Sequence, residues 1–191
     1  PLELTKELAT EKGYEVDTVG FEEANKAHQE LSRSASAGAF KGGLADSSYE
    51  NAKLHTATHI MLAGLKKMFG EQVEQRGSNI TPERLRFDFA CDHKLSPEEI
   101  AQTEALVNEW IKADIKVARE EMAKEEAVKQ GAEHQFIERY PDVVSVYTIG
   151  DVSKEICTGP HVENTGVLGQ FKIKKEEASS SGVRRIKAIL A

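Results

Sequence analysis

Apolar residues between positions 49 and 69 recur with the spacing of an α-helix. The set comprises Leu54, Ile60, Met61, Leu62, Leu65, Met68 and Phe69. At 3.6 residues per turn, these side chains cover a broad apolar face over about five turns. Gly70 follows the last of them, where glycine commonly ends a helix. The pattern predicts one long helix that is well buried.

A second helix is predicted where a capping-box pattern precedes another apolar stripe. Ser96 and Glu99 have the spacing of a capping box, and Pro97 stands at the first helical position. The apolar residues that follow on one face are Ile100, Val107, Trp110 and Ile111. We expect this helix to end near Asp114.

Other apolar positions follow the period of β-strands. Leu85, Phe87 and Phe89 alternate with charged residues, and Thr81 and Pro82 form a turn before them. Predicted strands cover residues 71–80, 84–90, 115–122, 143–151, 153–157, 169–175 and 183–190, and a short helix covers residues 124–132. Long helices between hairpin-like strands indicate an α+β fold, in which an antiparallel sheet is covered by long helices.

Charge and glycine content divide the chain into three parts. Residues 1–36 are charged, with sparse apolar positions, and are predicted to form a helical N-terminal extension. Residues 37–48 are rich in glycine and other small residues and are predicted to be a linker. Residues 49–191 form the main predicted domain. Because the chain begins with Pro1 inside a helical pattern, we expect it to derive from a longer protein.

Composition is that of an ordinary globular protein, with 39% hydrophobic and 30% charged residues. No apolar run approaches membrane-spanning length, so no membrane partner is expected. The two cysteines, Cys91 and Cys157, and the lack of a secretory signal favour the reducing cytoplasm. A net charge of -7 argues against non-specific coating of nucleic acid, but it allows a local basic patch.

Two short motifs carry the candidate chemistry. In HTATH, His55 and His59 are four residues apart, so both imidazoles project from one face of the long helix. Far downstream, CTGPH supplies Cys157 and His161 in a segment where glycine and proline favour a tight turn. Three imidazoles and one thiolate form a tetrahedral nitrogen and sulfur set, which favours Zn²⁺ over Mg²⁺ or Ca²⁺. We therefore predict one zinc site.

Spacing alone leaves the role of this zinc open. Metalloproteases with paired helical histidines need a glutamate after the first one, and this chain has Thr56 there, so a protease is disfavoured. Four protein ligands leave no open position for water or substrate, so spacing alone favours a structural zinc. The remaining histidines, His28, His93 and His134, are interpreted as surface residues, and Cys91 as a core or edge residue.

HTATH followed by CTGPH resembles the paired zinc motif of the editing domains shared by alanyl- and threonyl-tRNA synthetases. Further segments resemble alanyl-tRNA synthetases in order and spacing: VEQRGSNI, ERLRFDF, KEEAVKQGA, IERYPDVVSVYTIGD, VENTGVLGQFKI and SGVRRIKAIL. The resemblance covers residues 50–191 almost continuously. The opening residues 1–33 are similar to the last segment of the aminoacylation region of that family.

The resemblance implies an editing function, the hydrolysis of seryl- or glycyl-tRNA(Ala) made in error. It implies zinc held by His55, His59, Cys157 and His161, with Cys157 also assigned to catalysis. Gln75 matches a family position associated with editing, and Thr58 is a candidate polar contact because it lies next to His59. The implied partners are tRNA(Ala) and the rest of the synthetase, whose ATP and Mg²⁺ would bind outside this chain.

The chain departs from the family pattern at two places. In the cysteine motif, Thr158 and Pro160 replace the usual residues, and Pro160 is more like the threonyl version. The linker at residues 37–48 stands where the family usually has a glycine-rich β-barrel. A zinc-stabilised tRNA-binding appendage without hydrolytic activity is therefore the alternative function.

A basic segment near the C-terminal end is the candidate RNA surface. Between residues 169 and 187, six cations face two glutamates, which gives a local charge of +4 in an acidic chain. Charge alone fits a solvated strand face equally well, and the resemblance favours contact with tRNA phosphates. The assigned tRNA-binding residues are Lys172, Lys174, Arg184 and Arg185.

Overall fold

The structure, a computed structural model, describes residues 2–36, 44–135 and 137–191. It divides into two compact units, Pro1–Phe40 and Lys41–Ala191. The first unit holds α1 (Leu2–Glu11) and α2 (Thr18–Ser36). Of the predicted linker, residues 37–43 lie outside the described part of the chain. No helix in the described ranges is long and apolar enough to span a membrane.

In the second unit, the start of α4 and the end of α3 coincide with the capping residues identified in the sequence. Helix α3 (Tyr49–Phe69) is capped by Ser48, whose hydroxyl accepts a hydrogen bond from the Asn51 N–H, and Gly70 ends it with a φ of 94°. Helix α4 (Pro97–Lys112) opens with the complete Ser96 and Glu99 capping box. Helix α5 (Lys124–Lys129) is short. The predicted helices at residues 49–69 and after Ser96 are confirmed.

The strands form two antiparallel sheets, whereas one sheet was expected. The four-stranded sheet has the order β1-β2-β7-β6 and the three-stranded sheet has the order β3-β4-β5. Their bounds are β1 Gln75–Thr81, β2 Arg84–Ala90, β3 Val117–Ala123, β4 Val143–Ile149, β5 Ser153–Ile156, β6 Phe171–Ser180 and β7 Val183–Leu190. The α+β class is correct. The strand pattern predicts where strands lie, but neither which strands pair nor how many sheets result.

Helix α3 connects the two sheets, because it contacts β1 and β2 of the larger sheet and β5 of the smaller one. Residues 54–62 of the helix are buried on every side, as expected for a core helix. Ile60 and Leu65 of α3 pack in one hydrophobic cluster with Phe87 and Phe89 of β2, and all four are fully buried. Each such side chain stabilises the fold by about 1.5–3 kcal/mol. This packing fixes the helix that carries His55 and His59.

Candidate metal centre

Four side chains from distant parts of the sequence meet beside α3. His55 and His59 lie one turn apart on the helix, while Cys157 and His161 follow the end of β5. One potential ligand atom from each lies within 4.8 Å of the other three. The imidazole centroids are 4.2 to 4.9 Å apart. The structure thus brings together the two predicted pairs, and their side chains could hold one metal ion.

A tight backbone turn brings Cys157 and His161 to the helix. The Cys157 N–H donates to the Ser145 carbonyl at 3.0 Å, which anchors the start of the turn to β4. Gly159 adopts a φ of 67° and its N–H donates to the Cys157 Sγ at 3.4 Å. A Cβ at this position would overlap the Tyr147 hydroxyl. Glycine is therefore required here for both its φ and its lack of a side chain.

Hydrogen bonding fixes the orientation of His55. Its Nδ1 lies 3.1 Å from the Pro160 carbonyl oxygen, which can only accept, so Nδ1 carries the proton. A neutral imidazole then has its lone pair on Nε2, which lies 3.4 Å from the Cys157 Sγ. The proton-free nitrogen of His55 therefore faces the thiol, as a metal ligand would.

Two further histidine nitrogens are buried without a hydrogen-bond partner in the described part of the chain. They are Nε2 of His161 and Nδ1 of His59. The latter lies 3.5 Å from Glu155 Oε2, which is close enough for charge interaction but too long for a good hydrogen bond. Native proteins leave few buried polar atoms unsatisfied, so these two atoms indicate a missing ligand or proton at this place.

Burial keeps the cluster uncharged in the absence of metal. It lowers the pKa of His55 and of His59 to about 3, and the pKa of His161 falls well below its usual value for the same reason. Burial also raises the pKa of the Cys157 thiol to about 12. A bound cation would reverse the second shift, because it stabilises the thiolate that coordinates it. Neutral imidazoles are already in the state that a metal requires.

Glu155 is the polar residue beside the cluster that the sequence analysis did not assign. Its carboxyl has a pKa raised to about 7, chiefly by burial. It stands two residues before Cys157 at the end of β5, and residues two apart in an extended chain share a face. That spacing is the signal that identifies it. Histidines that bind metal usually donate their other nitrogen to such a group.

The side chains of Gln75 and Thr58 form hydrogen bonds within their own strand and helix. Gln75, the first residue of β1, donates from its side chain to Ser78 at 3.3 Å, and its carbonyl accepts from the Gln135 side chain. Thr58 is buried and donates its hydroxyl proton to the Leu54 carbonyl at 2.8 Å. The editing roles assigned to both residues stay predictions.

Two of the four predicted tRNA-binding cations are already paired. Arg185 forms two hydrogen bonds of 2.7 and 2.8 Å with Asp88, and Arg184 lies 2.5 Å from Glu176. By contrast, Lys172 and Lys174 are exposed on β6 and have no ion-pair partner among the described residues. The tRNA-binding assignment stays a prediction, and the lysines are its most available members.

The other histidines agree with a surface role where their side chains are described. The ring nitrogens of His93 lie 2.8 Å from Asp92 and 3.2 Å from Glu99, and its Nδ1 is also 3.6 Å from the Cys91 Sγ. Cys91, Asp92 and His93 thus form a second, partly exposed group of possible metal ligands. His134 bonds to the Ala132 carbonyl at 3.0 Å. The side chain of His28 lies outside the described part of the chain.

Comparison with known proteins points to one family. A family model described as "Threonyl and Alanyl tRNA synthetase second additional domain" matches residues 144–187. Alanine–tRNA ligases of Borrelia hermsii and Treponema denticola are 55% and 56% identical over 190 residues, all of this chain and 32% of each relative. The ligase of Thermotoga maritima is 54% identical over 135 residues, which cover 71% of this chain and 16% of the relative. The chain thus spans about a third of the length of the Borrelia hermsii and Treponema denticola ligases.

Proposed function

The chain belongs to the alanine–tRNA ligase family, and we propose that its second unit is an editing domain that hydrolyses seryl- or glycyl-tRNA(Ala). The observation that carries this proposal is the buried cluster of three imidazoles and one thiol beside α3. A site that selects alanine by size discriminates poorly against glycine and against serine, which adds one hydroxyl group. A second, hydrolytic site removes such errors.

The residues fit a zinc ion. The donors are nitrogen and sulfur atoms, the combination that zinc prefers, and within the described ranges the buried Nε2 of His161 has no hydrogen-bond partner. His55, His59, Cys157 and His161 would hold the ion. Bound zinc would polarise the ester carbonyl, activate water or anchor the aminoacyl group.

Side chains of this chain would supply the discrimination between serine and alanine. A buried polar group that bonds the serine hydroxyl is left unpaired when alanine binds, which penalises the correct product of the synthetase. Gln75 and Thr58 are the candidates. Because both are hydrogen-bonded within the fold, each would have to exchange or share its present bond when substrate binds.

The groove next to Glu155 is poorly suited to the RNA backbone. It has a volume of about 550 Å³, and its lining includes Lys66, Lys67 and Lys154 together with four carboxylates. With cations and carboxylates nearly balanced, it would not concentrate phosphate groups. We therefore assign RNA contact to Lys172, Lys174, Arg184 and Arg185, as the sequence proposed.

The wider assignments follow from the family and are proposals as well. Residues 1–36 would be the helical end of the aminoacylation region and residues 37–48 a linker to the editing domain. The partners would be tRNA(Ala) and the rest of the synthetase, which would bind ATP and Mg²⁺ elsewhere, and the setting would be the cytoplasm.

One observation favours the alternative, a zinc-stabilised tRNA-binding appendage. Four protein side chains complete a tetrahedral site, and structural zinc sites are closed in this way, whereas catalytic ones keep a position open. On this alternative the chain would bind tRNA and zinc without hydrolysis.

A deacylation assay separates the two functions. We expect this chain, and the full-length enzyme, to release serine from seryl-tRNA(Ala) faster than alanine from alanyl-tRNA(Ala). Cys157→Ala should abolish the reaction, Gln75→Ala should lower the ratio of the two rates, and Cys91→Ala is the matched cysteine control. Circular dichroism must show that each variant is folded. Equal rates on both substrates would remove specific editing, and no hydrolysis by the full-length enzyme would favour the appendage.

A further inference from the structure

We propose that Thr56 is a positioning residue of the metal centre, which fixes the tautomer of His161 so that its Nε2 is left free to bind metal. The proposal rests on the metal-binding part of the proposed function. It gives a role to the residue that stands where metalloproteases carry a catalytic glutamate.

The hydroxyl of Thr56 has a single proton, and that proton is committed to the helix. Thr56 is fully buried, and its Oγ1 donates to the Ala52 carbonyl, four residues earlier, at 2.9 Å. A hydroxyl offers one donor and two acceptor lone pairs. Its remaining contacts must therefore be bonds that it accepts.

Two such contacts come from the segment that carries the other ligands. The Val162 N–H donates to Thr56 Oγ1 at 3.2 Å, and His161 Nδ1 lies 3.1 Å from the same oxygen. Since the oxygen can only accept here, Nδ1 of His161 carries the proton. A second proton on Nε2 would be buried without an acceptor, because that atom has no hydrogen-bond partner among the described residues.

Thr56 Oγ1 thus connects helix α3 to the CTGPH segment at the His161 ring and to the Val162 N–H that follows it. The bond to Val162 fixes the backbone after His161, and the bond to Nδ1 fixes the plane of the imidazole. An ionised glutamate at position 56 could not donate to the Ala52 carbonyl, so threonine meets a requirement that the protease residue would not.

The zinc affinity of Thr56 variants tests whether this residue positions His161. Thr56→Val keeps the shape of the side chain but removes the acceptor, and we expect zinc affinity to fall about 10–100-fold, the usual effect of losing an outer hydrogen-bond partner. Thr56→Ser keeps the hydroxyl and should bind zinc nearly as tightly as the unaltered chain. A competition titration against a chromophoric chelator gives the three affinities.

Thr103→Val is the matched control. Thr103 is also fully buried on a helix and donates to the carbonyl four residues earlier, that of Glu99, at 2.8 Å. Its oxygen also lies 3.3 Å from the Met68 sulfur and contacts no imidazole in the described part of the chain. Its substitution should leave zinc affinity unchanged. An equal loss in Thr103→Val and Thr56→Val would reduce Thr56 to a general packing role.

Nitrogen-15 NMR of metal-free protein tests the tautomer directly. His161 in the unaltered chain should carry its proton on Nδ1, Thr56→Ser should keep that state, and Thr56→Val should populate the Nε2–H form. A wild-type His161 protonated on Nε2 overturns the proposal, even if Thr56→Val does not fold. Tight zinc binding without deacylation would instead overturn the hydrolase and leave this inference standing.

Discussion

The metal cluster and the β6–β7 surface, the latter formed by the cations of residues 172–187, look equally suggestive in the sequence, yet they differ in the folded chain. In the cluster, Nε2 of His161 and Nδ1 of His59 are buried without a hydrogen-bond partner among the described residues, and the latter lies 3.5 Å from Glu155. On the β6–β7 surface, Arg184, Arg185 and Lys187 are each paired with a carboxylate. The cluster thus has ring nitrogens available to a ligand, whereas the arginines of the surface already have partners in the fold, although one oxygen of Glu176 is also buried without a partner among the described residues.

The free-energy cost of unsatisfied polar atoms explains why the two regions differ as evidence for a ligand. A buried polar atom without a partner costs about 1–3 kcal/mol, so its presence in a native fold indicates that something else satisfies it. The Arg184–Glu176 pair of the β6–β7 surface is itself largely buried, with side-chain exposures of 15% and 1%, so it is satisfied within the fold. Unsatisfied buried atoms are therefore stronger evidence for a ligand than an excess of charge along the sequence.

Removal of the thiol should have the largest effect in the cluster. Cys157→Ala deletes a ligand, so its loss of zinc affinity should exceed the roughly 10–100-fold typical of an outer hydrogen-bond partner. Cys91→Ala, which lies outside the cluster, should bind zinc normally. Chelator competition measures both affinities, and tight zinc binding by Cys157→Ala would place the metal elsewhere.

Acid should destabilise the metal-free chain through the same residues. The unfolded histidines bind protons below about pH 6.5, while His55 and His59 stay neutral in the fold down to about pH 3. Stability should thus fall as pH drops through this window, by about 1.4 kcal/mol per pH unit for each histidine. Glu155, whose pKa is raised to about 7, works in the opposite direction between pH 4.5 and 7 but is outnumbered by the three histidines.

Urea unfolding at a series of pH values, after removal of metal, gives this dependence. His59→Asn should lower the slope between pH 6.5 and 3, since one depressed histidine is lost. A free energy of unfolding that stays flat or rises on acidification would show that the imidazoles are not buried as described.

The same glycine-to-alanine substitution can be made in the metal cluster and in the β6–β7 turn, so that its effects on stability and zinc affinity can be compared. Gly159 in the cluster and Gly182 in the β6–β7 turn both have a positive φ, 67° and 69°. Alanine at either costs about 1–2 kcal/mol for the left-handed backbone. Only at Gly159 does the new methyl group meet Tyr147, whereas nothing lies within 4 Å at Gly182. Gly159→Ala should therefore unfold at a lower urea concentration than Gly182→Ala. It should also bind zinc more weakly, whereas the zinc affinity of Gly182→Ala should be unchanged.

Equal zinc affinities and equal unfolding midpoints in the two variants would show that the turn at Gly159 can shift to accommodate the methyl group.

The smallest effect is expected on the β6–β7 surface. Replacing Lys172 and Lys174 with alanine should weaken tRNA binding and lower the salt slope by about 1–2, because each phosphate contact contributes about 0.9. Replacing Arg184 and Arg185 should also weaken binding, but it leaves Asp88 and Glu176 without their partners and destabilises the fold. Affinities measured at several salt concentrations, with unfolding curves, separate the two effects. An unchanged slope in both double variants moves the RNA surface elsewhere.

Local signals in the sequence predicted the parts of the fold that depend on neighbouring residues. Ser96 and Glu99 define the start of α4, and Gly70 the end of α3, because caps are satisfied within a few residues. The approach of HTATH to CTGPH could be inferred from donor chemistry and from the family resemblance but not from local signals, since His55 and Cys157 are 102 positions apart. It is nevertheless present in the structure.

What the sequence could not reveal depends on contacts between distant elements. The division into two sheets is decided by which strands pair, and alternation of apolar residues contains no such information. Arg185 is read as a free cation until the register of β2 and β7 places Asp88 opposite it. The spacing of Glu155 before Cys157 places it on the same face of the strand, but only the packing of α3 against β5 shows that it lies 3.5 Å from His59.

X-ray absorption at the zinc edge tests the central claim, that these four side chains form one metal site, most directly. Protein loaded with one equivalent of zinc should show one sulfur neighbour at about 2.3 Å and three nitrogen neighbours at about 2.0–2.1 Å. Substitution of Cys157 should remove the sulfur signal, and substitution of Cys91 should not. A shell without sulfur, or a sulfur signal that survives the loss of Cys157, would contradict the account.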